Sequence, residues 1–180
     1  MTATDIETGA AVLTVVSPKH GTFRALVDQE DYERVSQHTW GVLKNKKGHV
    51  YFQTMIRKPD GKQTTILLHR FLMNVTDPKV IVDHKNHDYL DCRKGELRVC
   101  TKAENTQNQR KHRNNTSGFK GVSWHKNAGK YQVQIRVNGK VKHLGLRDCP
   151  IQAAKLYDAA AIGLHGEFAH LNFPREAAAA

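Results

Sequence analysis

Short β-rich runs separated by polar turns dominate the first part of this chain. Ala25-Leu26-Val27, Val50-Tyr51-Phe52 and Thr64-Thr65-Ile66-Leu67-Leu68 are such runs, and Pro59-Asp60-Gly61 is a turn signal between the last two. Residues 12–73 are therefore expected to form mostly strands, a small antiparallel sheet, with one short helix over 31–37 ending near Trp40. Residues 1–11 are small and polar, and disorder is expected there.

The pattern then sharpens. Residues 79–84 read as a strand, 85–95 as a polar loop and 96–100 as a second strand. Thr101-Lys102-Ala103-Glu104 has the form of a capping box, which starts a helix and puts Asn105 in its first turn, with Asn108 and His112 at helical spacing. A basic polar linker, 110–117, follows. Beyond it lie three strand-like runs, 121–125, 131–137 and 141–146, the last two joined by the hairpin signal Asn138-Gly139. A helix opens at Pro150 and closes by Gly166, with Ala153, Tyr157, Ala160 and Leu164 as its apolar stripe. The fold class is α+β.

Charge narrows the partners. The 180 residues carry a formal net charge of +11, and no Asp or Glu occurs from Asn105 to Arg147. That asymmetry favours a polyanion, nucleic acid first. No stretch reads as a membrane span, and residues 1–16 lack the pattern of a signal peptide. Cys92, Cys100 and Cys149 are isolated from one another, which supports neither a zinc knuckle nor a redox motif and fits a reducing cytoplasm.

The chemistry concentrates at Asp83-His84. Phosphodiester hydrolysis needs a nucleophile, charge neutralisation on the phosphate and stabilisation of the departing oxygen; a divalent metal supplies the last two, and a neutral imidazole generates the first from water. Neighbours on a strand face opposite ways, so Asp83 and His84 flank a site rather than share one face. Asp83 is the carboxylate for the metal, His84 the base, and Asn105 a neutral amide oxygen for the same ion. Such oxygen ligands suit one Mg²⁺ or Mn²⁺ per nuclease unit.

On these residues the segment 64–109 resembles the HNH endonucleases of the phage and intron-encoded type. The matching motifs are His69-Arg70, Asp83-His84, Leu90-Asp91-Cys92-Arg93, Glu96-Leu97-Arg98 and Glu104-Asn105. The resemblance implies a ββα-metal fold, His84 as general base, and Asp83 and Asn105 as metal ligands. His69, Arg70, Arg93, Glu96, Arg98 and Asn108 are supporting candidates. His69 either orients a phosphate or packs at a strand end. The three arginines either clamp phosphate or pair with acids such as Asp91 and Glu96. Two positions depart from the family: Cys92 replaces a loop asparagine, and Glu96 replaces the asparagine that fixes the loop behind the catalytic histidine.

Residues 117–174 resemble the plant ethylene-response-factor (Apetala) DNA-binding domain. The resemblance rests on Gly118-Phe119-Lys120-Gly121-Val122, Gly129-Lys130-Tyr131, Ile135-Arg136, Leu144-Gly145, Ala153-Ala154, Tyr157-Asp158, Ala160-Ala161 and Leu171-Asn172-Phe173-Pro174. It implies a three-stranded sheet that enters the major groove of double-stranded DNA, backed by one helix. Tyr131, Val133 and Ile135 then face the helix and Gln132, Gln134 and Arg136 face DNA, where Gln suits adenine and Arg guanine. Lys120, Ser123, Lys126, Lys140 and His143 are further candidate contacts. Ser123 and His143 stand where the plant family has arginine and tryptophan, so readout of the plant target is not expected.

The expected organisation is a disordered start (1–11), a nuclease domain (12–109, core 64–109) with an N-terminal antiparallel β support, a linker (110–117), the DNA-binding domain (118–174) and a tail (175–180). The expected function is a homing-type, site-specific DNA endonuclease of phage or bacterial origin. A monomer would nick one strand; cutting both needs a dimer or two binding events. The alternatives are a DNA-binding regulator whose nuclease unit no longer cuts and an RNA-binding protein. The outward Gln132, Gln134 and Arg136 argue against the latter, because single-stranded RNA calls for stacking aromatics.

Overall fold

The computed structural model describes residues 4–5, 9–58 and 60–173. Pro59 of the expected turn, Pro174 and the tail lie outside the described residues. The chain divides into two units, Met1–Cys100 and Thr101–Ala180. The division falls ahead of the expected 109/118 boundary, so the helix that carries Asn105 belongs to the second unit. Both units mix short antiparallel sheets with helices, an α+β architecture.

In the first unit β1 (Thr4–Asp5), β2 (Ala10–Ser17) and β3 (Gly21–Asp28) pair in that order. Side chains alternate across a strand, so Ala11, Leu13 and Val15 of β2 and Ala25 and Val27 of β3 enter the core while Thr14 and Val16 stay outside. The expectation of disorder over 1–11 is corrected at Ala10 and Ala11, while residues 1–3 and 6–8 lie outside the described residues. Ala10 and Ala11 are buried in the middle strand, paired with Asp28 and Val27 on one side and with Asp5 and Thr4 on the other.

Helix α1 (Gln29–Ser36) starts two residues earlier than expected, and the Trp40 indole donates to the Val35 carbonyl at 2.8 Å. A second sheet follows, β4 (Gly41–Lys44), β5 (Val50–Arg57) and β6 (Gln63–Leu67). The chain then turns directly into α2 (Leu68–Leu72), an element that the β-rich sequence does not announce. Arg34 on α1 donates to the Phe71 and Leu72 carbonyls at 3.3 and 3.1 Å, satisfying acceptors that a short helix leaves bare at its end.

The strand expected over 79–84 is β7 (Ile81–His84), shorter because Arg70 draws the Asp77 and Val80 carbonyls into a turn, each at 2.6 Å. Its partner is β8 (Leu97–Cys100), in register Asp83 to Arg98 and His84 to Leu97. The loop between them is sutured to β3 by Leu26 N–H to the Leu90 carbonyl and Cys92 N–H to the Leu26 carbonyl, both 2.8 Å. Val82, Cys92 and Leu97 thereby join one core with Val27, Phe52, Leu68 and Leu72.

The second unit opens with α3 (Lys102–Asn108), whose capping box is formed: Glu104 N–H donates to Thr101 Oγ1, and Thr101 N–H to the Glu104 carboxylate. Strands β9 (Val122–His125), β10 (Lys130–Val137) and β11 (Lys140–Arg147) form a sheet in the order β11-β10-β9, backed by α4 (Pro150–His165). Asn138 and Gly139 take φ of 50° and 77°, the left-handed pair that a two-residue hairpin requires. The apolar stripe of α4 is rotated from the expected one. Ala153, Ala154, Tyr157 and Ala161 are buried against Val122, Val133 and Ile135, whereas Leu164 is 41% exposed. Alanines bring this helix close to the sheet. Gly121 makes room for it; a Cβ there would stand 2.0 Å from the Tyr157 ring.

No helix among the described residues is long and apolar enough to cross a membrane.

Candidate active site and nucleic-acid-binding face

Strand alternation places Val82 and His84 on the buried side of β7 and leaves Ile81 and Asp83 partly accessible. His84 is 3% exposed. Its ring stands edge-on to His69 of α2 at 4.9 Å and to Tyr89 at 5.6 Å, and Cys92 Sγ lies 3.9 Å from its Nε2. Burial drives the His84 pKa down to about 4 against the pull of Asp83, Asp88 and Asp91. His69 falls to about 3, through burial and then the neighbouring His84 and Arg70. Both imidazoles are therefore neutral at pH 7, the form in which a histidine accepts a proton. Burial, with Asp91 and Asp88 nearby, pushes the Cys92 thiol up, so it stays protonated.

Asp83 points the other way and meets Arg98 across the strand pair. The guanidinium donates to Oδ2 from Nη2 at 3.1 Å and from Nε at 3.4 Å. The loop that backs His84 is fixed by a second pair: Arg93 grips Asp91 with two bonds of 2.8 and 2.7 Å, and Asn86 donates to the same carboxylate at 2.8 Å. Burial raises the Asp91 carboxyl, but the Arg93 and Asn86 bonds outweigh it and hold the group below its ordinary range.

The three arginines thus separate. Arg93 pairs with Asp91, and Arg98 pairs with Asp83 rather than Glu96. Arg70 is engaged by backbone carbonyls, those of Asp77 and Val80, rather than by an acid. His69 packs on His84 and lies under Tyr51, whose ring is 6.0 Å away. Glu96 is half-buried at the loop's end, where its carbonyl accepts from Lys85 N–H at 2.9 Å. Asp91, Arg93, Asn86 and Cys92 anchor the loop. The sequence reading missed Tyr89, which stacks on His49 at 4.3 Å and meets Tyr51 at 5.0 Å. An aromatic within a polar loop was the available signal.

Asn105 is half-buried on α3 and Asn108 is buried at its end, both in the second unit. In that unit the sheet register sorts the nucleic-acid candidates, because directly paired residues share a face. Ser123 pairs with Gln132, and His143 with Gln134, on the side of Arg136 away from α4. Lys140 pairs with Val137, whose side chain packs toward α4, so Lys140 lies on that same side of the sheet, exposed at the hairpin and apart from the outward residues. Lys126 is exposed in a 3-10 turn. Lys120 is not a free surface cation: it donates to the Gln107 carbonyl, and burial lowers its pKa to about 8 although Asp158 opposes the shift. Arg136 is exposed and donates to the Gly139 carbonyl at 3.0 Å.

Comparison with known proteins adds two relatives, both from phages. Protein 3.8 of Escherichia phage T7 is 32% identical over 88 residues, 49% of this chain and 72% of that protein. The chain belongs to the family of phage T7 protein 3.8. The H-N-H endonuclease F-TflI of Escherichia phage T5 is 39% identical to this chain over 59 residues, 29% of this chain and 30% of the endonuclease. The chain thus spans less than a third of the T5 enzyme's length. No family model matches the chain.

Proposed function

We propose that this protein is a metal-dependent DNA endonuclease of the HNH type, guided by the sheet of its second unit. The observation that carries the reading is the buried, neutral His84 beside the partly accessible carboxylate of Asp83, in a chain with partial similarity to a phage H-N-H endonuclease. His84 accepts the proton of the attacking water. His69, Tyr89 and Cys92 pack around its ring, and the resulting burial keeps the imidazole in its base form.

Asp83 fits a hard cation by the chemistry of its anionic oxygens, and its pairing with Arg98 marks a position suited to a positive partner. Asp83 and Asn105 are the ligands that the family resemblance implies for Mg²⁺ or Mn²⁺. When bound, such an ion neutralises phosphate charge and stabilises the departing oxygen. Calorimetric titration with Mn²⁺ tests the assignment. The expected result is binding by the wild type and at least tenfold weaker binding, about 1.4 kcal/mol, by Asp83→Ala and by Asn105→Ala. Unchanged affinity in both variants would remove them as ligands.

The second unit supplies targeting in this reading, as the resemblance to the ethylene-response-factor domain implies. Ser123, Gln132, Gln134, Arg136 and His143 share the outward face, which carries hydrogen-bonding groups suited to base edges. Homing-type site specificity and single-strand nicking are the finer parts of the proposal. Their readout is the end structure of products cut from a randomised duplex library.

A further inference from the structure

The segment expected to be a basic polar linker, 110–117, is tied into the second unit by hydrogen bonds. Asn115 N–H donates to the His112 carbonyl at 3.0 Å, and the Asn115 amide donates to the Phe119 carbonyl at 2.9 Å. Ser117 Oγ donates to the Val122 carbonyl at 2.7 Å, at the edge strand of the sheet, and Lys111 Nζ to the Gly118 carbonyl at 2.7 Å. These bonds fix the segment before any partner arrives.

Arg110, Lys111 and His112 form one wall of a groove of 320 Å³ whose other side includes Gln134 and Arg136 of the outward sheet face, with Lys120 between. Among the described residues no carboxylate lines it. Arg110, Lys111 and His112 are all exposed.

We propose that residues 110–112 are a pre-ordered phosphate-binding arm, which seats one backbone of duplex DNA in this groove while the sheet face reads base edges. The inference rests on the reading of the second unit as DNA-binding and adds residues that the motif did not supply. The charge of the wall suits a phosphodiester chain, and contacts of that kind position a protein on DNA without carrying sequence information. A segment already held by its own hydrogen bonds loses little conformational freedom on docking, which favours a stable contact over a fluctuating one.

The test is the salt dependence of binding by the full chain to a short labelled duplex of random sequence. Each phosphate contact adds a slope of roughly 0.9 to log K against log salt. Arg110→Gln/Lys111→Gln should therefore flatten the slope by roughly 1.8, and the charge-keeping Arg110→Lys/Lys111→Arg should leave it in place. Arg110→Gln alone keeps the Lys111 and Asn115 bonds and should flatten it by roughly 0.9, which separates charge from misfolding. Duplex binding by the wild type with unchanged slopes in both Gln variants would overturn the arm and leave the sheet reading intact. No duplex binding by the wild type would overturn both. Stronger competition by an RNA duplex of the same sequence would overturn DNA as the occupant.

Discussion

His84 and His69 are held neutral by burial, and that has a thermodynamic consequence. Their folded pKa values, about 4 and about 3, lie below the ordinary 6.5. The unfolded chain therefore takes up protons as the pH drops through 6.5 while the folded chain does not. Stability is complete above that value and declines as acid approaches pH 4, by roughly 3 kcal/mol from His84 alone. Urea unfolding at a series of pH values should show this loss, and His69→Phe/His84→Phe should flatten it. A wild-type curve level from pH 7 to pH 4 would contradict the burial of the pair. Asp83 and His84 were legible because they are adjacent and end an apolar run. The partners that tune His84 were not, since His69, Tyr89 and Cys92 come from a helix and a loop that only tertiary folding brings to β7.

Among the elements, those specified by local chemistry were read nearly to the residue. The capping box of α3, the Asn138-Gly139 hairpin and the Pro150 start of α4 each carry their geometry in a few neighbouring side chains. Helix α2 was not legible. Five residues following a strand run have no helical period to display, and the helix end is satisfied by Arg34 from α1. The rotation of α4 has a similar origin: alanine reads as weakly apolar, yet its small size decides which face approaches the sheet. Gly121 shows the same constraint from the other side. Gly121→Ala forces a methyl against Tyr157 at a φ of 74°, and the second unit should lose roughly 3 kcal/mol. A melt monitored by Trp124, the tryptophan of that unit, is the measurement; a shift under a degree would contradict the close packing.

For the whole molecule, the carboxylate-free run from Asn105 to Arg147 lies within the second unit, while Asp83 and His84 lie in the first. In the proposed reading that run is the part of the chain that faces DNA, and its charge is visible before any fold is known. What charge could not give was the place of the division, because the capped helix after Cys100 reads as a continuation of the two preceding strands. The central claim is that His84 is the base of a divalent-ion-dependent nuclease. Its most direct test is supercoiled plasmid carrying phage DNA, incubated with the full chain and Mg²⁺ or Mn²⁺, with EDTA and with His84→Ala. The account predicts nicked circles with the wild type and none in either control. Nicking that persists in His84→Ala at the wild-type rate, or tight duplex binding without cleavage on DNA that contains the recognised site, would contradict it.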